Sequence, residues 1–179
     1  MPIYLIRHGQ SSFNAAHRDG EPDPMLFDAR LTDLGRAQAR AARDQVAQLG
    51  IAGIISSPLT RAIETSRLIF GDDAPIRIMA EHRENLYSSC DVGRSPRELQ
   101  AEFANLDFSH LDDVWWHQGP ENEDGIPVEP EAVFSERLEA FARLLEHITP
   151  RPLAIVGHGE MFRALSGVSF ENCQIHRYC

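Results

Sequence analysis

The sequence predicts an α/β fold, a three-layer sandwich whose mostly parallel sheet is flanked by helices, with residues 1–179 in a single domain. Three observations carry this prediction. Short apolar runs of strand length, Ile3–Ile6, Ile51–Ser56 and Leu153–Val156, alternate with longer stretches of helical periodicity. The runs pass into polar or glycine-containing junctions and then helix starts, the order expected of parallel β-α units. A content of 42% apolar residues is enough for one core, and neither an internal repeat nor a low-complexity tract divides the chain.

Ile3–Ile6 is the first strand, and it delivers Arg7, His8 and Gly9 where the backbone leaves the sheet. Open α/β sheets bind ligands at that edge. Gln10 and Ser11 are expected to hold the turn, and Asn14 to return a hydrogen bond to the site. His17–Asp28, with two prolines and a glycine, reads as a loop. Thr32 caps a helix from about Asp33 to Gln48, closed by Gly50. Leu34, Ala37, Ala41, Val46 and Leu49 form its inner face, and Arg36, Arg40 and Arg43 a solvated one. Ile51–Ser56 is the second strand, after which Ser57 and Pro58 cap and open a helix to about Phe70. Arg61 falls in its first turn, where free N–H groups and the helix dipole already favour an anion.

Ile76–Ala80 is the third strand, and Ser95-Pro96-Arg97-Glu98 has the form of a capping box that starts a short helix ending near Phe103. The adjacent Trp115 and Trp116 either cover an edge of the core or form a rim over a pocket. The acidic stretch Gln118–Glu131 is a flap or a solvated turn. Glu131–Ile148 is an amphipathic helix with the stripe Phe134, Leu138, Phe141, Leu145 and Ile148, broken by Pro150 and Pro152. Leu153–Val156 is a fourth buried strand ending in Gly157-His158-Gly159, and a helix from Glu160 to Leu165 follows. Val168–Tyr178 alternates as an edge strand, which leaves room for a homodimer.

Composition removes several function classes. A formal charge of −10 argues against sequence-independent nucleic acid binding, which needs a basic face. All 17 basic residues are Arg, so a P-loop lysine and a Schiff-base lysine are excluded. Cys90, Cys173 and Cys179 offer neither a disulfide framework nor zinc spacing, and the eight histidines are scattered. No apolar run is long enough for a membrane span or a signal peptide, so a cytoplasmic location is expected.

Arg7 with His8, Arg61 and His158 all fall at strand ends or at the helix starts that follow, and parallel strands put those ends on one side of the sheet. At this point the chain resembles the histidine phosphatase superfamily, the phosphoglycerate-mutase-like fold, along nearly its whole length. The matching stretches are Leu5-Ile6-Arg7-His8-Gly9-Gln10-Ser11 with Asn14, Leu31–Ala39, Ser56–Thr65 and Val156-Gly157-His158-Gly159. The resemblance implies that His8 is the nucleophile that becomes phosphorylated, and that Arg7, Arg61 and His158 hold the phosphoryl group. The chemistry of these residue types agrees. A neutral imidazole can attack phosphorus, and two permanently charged guanidinium forks can take the charge that magnesium takes elsewhere, so no metal or other cofactor is expected. His158 is expected to be protonated while a phosphate dianion is bound, and Asn14 to contact phosphate.

A leaving alkoxide also needs a proton, which the same carboxyl can later take from water. Glu84 and Glu81 both follow the third strand; Arg83-Glu84 looks like the family's acidic position and is favoured, with Asp91 a third candidate. Asn85–Cys90 replaces the family's usual glycine-containing turn, so the sequence leaves the substrate wall undefined. Hydrolysis of a small phosphorylated metabolite is the first reading, because the chain is short beside the mutases it resembles and lacks their basic segment after the acid. A phosphoglycerate-type mutase and a phosphohistidine protein phosphatase are the enzymatic alternatives. A non-catalytic phosphate or phosphopeptide binder is the alternative of another class. Glu121–Glu131, if closed over the site, would disfavour polyphosphates.

Overall fold

The structure, a computed structural model, describes residues 2–179. Strands β1 (Ile3–Arg7), β2 (Gly53–Ser56), β3 (Ile76–Ile78), β4 (Leu153–Gly157) and β5 (Ile175–Arg177) form one sheet in the order β3-β2-β4-β1-β5. The β1–β4, β4–β2 and β2–β3 pairs are parallel, and β5 runs antiparallel along the outer edge of β1. The α-helices are α1 (Ser12–Ala16), α2 (Asp33–Ala47), α3 (Thr60–Phe70), α4 (Pro96–Glu102), α5 (Glu131–Leu145) and α6 (Gly159–Ser166).

Alternation along the strands builds the three layers. Leu5, Ile55 and Ile155 point to one face of the sheet, where Phe141 and Leu145 of α5 and Phe162 of α6 cover them. Ile6, Ala154 and Val156 point to the other, against Ala39, Ala42 and Val46 of α2 and Ala62 and Ile69 of α3. Pairing Arg7 with Gly157 and Ser56 with Val156 in parallel register brings three strand ends to one edge of the sheet.

The inner face of α2 differs from the predicted one. Gly35, Ala39, Ala42 and Val46 are buried, whereas Leu34 is 53% exposed and Ala37 and Ala41 also face solvent. The cause is a backbone contact: a Cβ on Gly35 would lie 2.1 Å from the Gln10 carbonyl oxygen, and one on Gly9 would lie 2.4 Å from that of Gly35. Two glycines thus let α2 dock on the turn after β1 and fix its rotation. The same rotation corrects Arg36, which donates to the buried Glu64 carboxylate at 3.0 Å instead of being solvated; Arg40 and Arg43 are exposed as expected.

Other boundaries shift for local reasons. β1 and β4 each run one residue further, through Arg7 and Gly157. β2 starts at Gly53 because the Ala52 and Gly53 amides both donate to the Pro152 carbonyl, and β3 stops at Ile78. The edge strand shrinks to β5 because residues 170–174 are diverted to hold the end of β1, with the Cys173 amide donating to the Arg7 and His8 carbonyls. The short α1 was not expected; Ser11 and Asn14 form its capping box. Trp115 is buried against Leu59, Ile63 and Phe108 with Trp116 packed on the same cluster, so the pair covers the core and not the pocket. In the acidic stretch, residues 121–125 form an exposed turn, but Ile126 and Glu129 are buried on its return. Among the described residues no helix is long and apolar enough to cross a membrane.

Helix α3 begins at Thr60, two residues later than expected, and its N-cap Leu59 offers no side-chain acceptor. Asp28 supplies one from the preceding loop. Its buried carboxylate accepts from the Thr60 amide at 2.8 Å, the Thr60 hydroxyl at 2.5 Å and Arg94 Nε at 2.8 Å. Replacing Asp28 with Ala frees a buried amide and hydroxyl and removes one of three partners of the partly exposed Arg94, and should cost about 2–4 kcal/mol. Urea denaturation reads this as a lower midpoint at unchanged slope, and an unchanged midpoint would remove Asp28 from this role.

Candidate active site

A cleft of about 310 Å³ opens at the shared edge of β1, β4 and β2, lined by Arg7, His8, Asn14, Arg61, Glu84, Asp91 and the walls Phe13, Tyr87 and Arg163. Its floor is built from the end of β1. His8 is 3% exposed, and its Nδ1 lies 2.7 Å from the Gly9 carbonyl oxygen. Arg61 Nε donates to His8 Nε2 at 3.1 Å, so Nε2 is the acceptor and Nδ1 carries the proton. Arg61, 2% exposed, further donates through Nη1 to the Cys90 carbonyl at 2.6 Å and through Nη2 to Asp91 Oδ1 at 2.8 Å. Thr65, one turn on in α3, accepts from the Gly9 amide at 3.1 Å and so ties the turn after His8 to the helix that carries Arg61.

His158 lies behind His8, fully buried, with ring centroids 5.3 Å apart and Nε2 2.8 Å from Ser57 Oγ. Gly159 lets Arg7 lie over the start of α6: a Cβ there would stand 3.2 Å from Arg7 Nε. Arg7 Nη1 donates to the Phe170 carbonyl, while Arg7 Nε and His158 Nδ1 are buried without a protein partner. Burial, followed by the Arg61 and Arg7 charges, holds His8 well below its usual pKa. Burial and then Arg61 do the same for His158, so both imidazoles are neutral beside these protein groups. The expectation of a protonated His158 concerns the phosphate-bound protein.

Glu84 reaches the cleft from the turn after β3. Its carboxyl accepts from the backbone amides of Met161 at 2.9 Å, Asn85 at 3.0 Å and Glu160 at 3.1 Å, two of them at the start of α6. Burial and then the nearby Asp91 carboxylate push its pKa up to about 7, against these amides and Arg61. Glu81, the other candidate, is exposed and lines a separate groove beside Ile76 and His110. Asp91 is in the cleft but is committed to Arg61 as its buried ion-pair partner. Asn14 lines the cleft while its side-chain oxygen accepts from the Ser11 amide at 3.1 Å.

The structure therefore gathers Arg7, His8, Asn14, Arg61 and Glu84 in one cleft with His158 beneath it, and leaves Glu81 out. Sequence reasoning missed Ser57, Thr65 and Asn172, whose amide nitrogen donates to the His8 carbonyl at 3.0 Å. Ser57 and Thr65 flank Arg61 within one strand-to-helix segment, a signal that was present; Asn172 had none. Among the described residues no group of three or more His, Cys, Asp or Glu is placed to hold a metal ion.

The chain is similar to known proteins along most of its length. The chain is 30% identical over 173 residues to the glucosyl-3-phosphoglycerate phosphatase of Mycolicibacterium vanbaalenii, covering 92% of this chain and 72% of that protein. It is 28% identical over 162 residues to the adenosylcobalamin/alpha-ribazole phosphatase of Salmonella typhimurium, covering 88% and 74% respectively. A match to "Probable phosphoglycerate mutase GpmB" of an Enterobacter strain, 31% identical, spans 64% of this chain but only 44% of that protein. The crystal structure of the alpha-ribazole phosphatase from Shigella flexneri superposes with a TM-score of 0.64 at 26% identity, over 98% of this chain and 88% of that one. The pattern of one family accounts for residues 3–175, from the first residue of β1 to the first of β5, and on that match the chain belongs to the histidine phosphatase superfamily, branch 1.

Proposed function

We propose that His8 takes the phosphoryl group from a small phosphorylated metabolite and passes it to water, without a metal ion, so that the protein acts as a phosphomonoesterase. The observation that carries this reading is the pinned imidazole: Nδ1–H is held by the Gly9 carbonyl, and the Nε2 lone pair faces the buried Arg61 on the cleft floor. In the first step Arg61 Nε gives up its hydrogen bond to Nε2 in favour of a phosphoryl oxygen, and the freed Nε2 lone pair forms the N–P bond as the P–O bond to the leaving group breaks. Glu84, placed in the same cleft, gives its proton to the departing alkoxide. In the second, Glu84 as carboxylate takes a proton from water, the water oxygen bonds to phosphorus, and the N–P bond breaks to return neutral His8.

The charge that phosphoryl transfer elsewhere draws from a metal comes here from Arg7 and Arg61. An anion in the cleft would also give Arg7 Nε the partner that the protein does not provide. A cleft of about 310 Å³ is at the small end for ligand sites, which supports a small leaving group over a protein. The acidic turn 121–125 does not line it, so the repulsion of polyphosphates inferred from the sequence does not enter. Two relatives bear phosphatase names, which supports hydrolysis over isomerisation.

A panel of sugar, glycerate and nucleoside monophosphates, with p-nitrophenyl phosphate, tests the reading by release of inorganic phosphate. Turnover should survive EDTA, and His8→Ala should lower kcat by at least about 10⁴-fold. Bound phosphate ester without release, or release that stops in EDTA, would remove the proposed chemistry.

The pH profile is a second test. Glu84 must hold its proton in the first step, and its pKa is raised to about 7, so the proton is present below that value and lost above it. For an alkyl phosphate, kcat/KM should fall about tenfold per pH unit on the alkaline side of about 7. Glu84→Gln should lower kcat/KM by about 10²–10⁴-fold and abolish that limb; a variant that keeps the limb assigns it to another group.

A further inference from the structure

Glu84 sits in a turn without regular secondary structure, between the end of β3 and the 3₁₀ turn Ser89–Asp91. What holds its backbone comes from α5. Arg137 donates through Nη1 to the Glu81 carbonyl at 3.0 Å and the Arg83 carbonyl at 2.9 Å, and through Nη2 to the Glu84 carbonyl at 3.3 Å. Its remaining donors, Nε and the second Nη2 proton, go to the two oxygens of Glu129 at 3.0 and 2.6 Å. Every N–H of the guanidinium is thus used.

Glu129 is wholly buried, is paired also with Arg83 at 3.3 Å, and lies at the end of the acidic stretch, where its amide donates to the Leu86 carbonyl at 2.7 Å. Residues 81–86 are therefore clamped on both sides of Glu84 by one ion pair. Neither partner touches the cleft.

We propose that Arg137, fixed by Glu129, is a positioning residue for proton transfer: it sets where the Glu84 carboxyl stands relative to the leaving-group oxygen. The inference rests on the reading of Glu84 as proton donor. A forked guanidinium is required, because one ammonium cannot serve three diverging carbonyls and a carboxylate together. A displacement on the order of 1 Å at Glu84 would slow the steps in which it gives or takes a proton, and leave a phosphoryl transfer that needs no proton unaffected.

Two substrates separate these effects through kcat/KM, which reports transfer to His8. β-Glycerol phosphate leaves as an alkoxide and needs the acid; 2,4-dinitrophenyl phosphate leaves as a stable phenolate and does not. Arg137→Lys should lower kcat/KM for the first by about 10- to 100-fold and for the second by less than about threefold, with inhibition by inorganic phosphate unchanged. In a Glu84→Gln background the same substitution should cost less than about threefold on either substrate. Equal losses on both substrates, weakened phosphate inhibition, or losses that multiply in the double variant would overturn the proposal in favour of a general structural role. Glu129→Gln, which keeps Arg137, serves the same comparison should Arg137→Lys not fold. Its loss must show the same substrate dependence, and a uniform loss counts against the proposal. If Glu84→Gln itself slows both substrates alike, the reading of Glu84 fails; if it discriminates while Arg137→Lys does not, the positioning role alone fails.

Discussion

The structure turns on one buried charge. Arg61 is a guanidinium with 2% exposure, and a lone cation so far from water would cost several kcal/mol. Its partners are drawn from two places: His8 from the end of β1, and the Cys90 carbonyl and the Asp91 carboxylate from the 3₁₀ turn Ser89–Asp91. That turn is in turn fixed by Asp23, whose carboxylate accepts from the Ser89 amide and hydroxyl. The loop before α2, the wall of the cleft and the first helical turn of α3 are therefore parts of a single arrangement. A phosphoryl anion arriving there meets a positive charge already oriented, and the folding of the chain has met the desolvation cost in advance.

The same charge divides labour among the titratable groups. Two neutral imidazoles beside two arginines remain unprotonated on burial and repulsion, so neither charge state depends on solution pH near neutrality. Glu84, the proposed proton donor, is moved the other way: burial and then Asp91 raise its pKa, while Arg61 and the start of α6 restrain the rise. Environments that push titratable groups apart in this way are how one site can hold a base and an acid at a single pH.

Much of this was legible in the sequence, and the rest was not for identifiable reasons. Strand-to-helix junctions announce themselves through local residue types, so Arg7, His8, Arg61 and His158 and the parallel order of the sheet were readable. The capping box at Ser95 was readable for the same reason. Helix rotation is not local. The rotation of α2 depends on Gly9 meeting Gly35, a contact between backbones that no hydrophobic count along the helix registers. Nor is the cap of α3 local, because Asp28 lies 32 residues before Thr60. Arg36 and Glu129 looked like surface charges because pattern reading assigns charge to solvent; each is part of a long-range ion pair, with Glu64 and Arg83 respectively. Choosing between Glu81 and Glu84 also needed three dimensions, since residues three apart in an irregular turn point to different grooves.

The place of β1 in the sheet has a consequence for how the molecule comes into being. Its neighbours are β4 and β5, at residues 153–157 and 175–177, so β1 has no sheet partner until those later segments have been made. During vectorial synthesis Ile3–Ile6 waits as an unpaired apolar segment, a condition that slows folding and invites association with other chains. Asn172 and Cys173, from the same later part of the chain, close over the His8 carbonyl. A growing chain therefore carries His8, the proposed nucleophile, before it carries the groups 164 residues further on that hold its carbonyl.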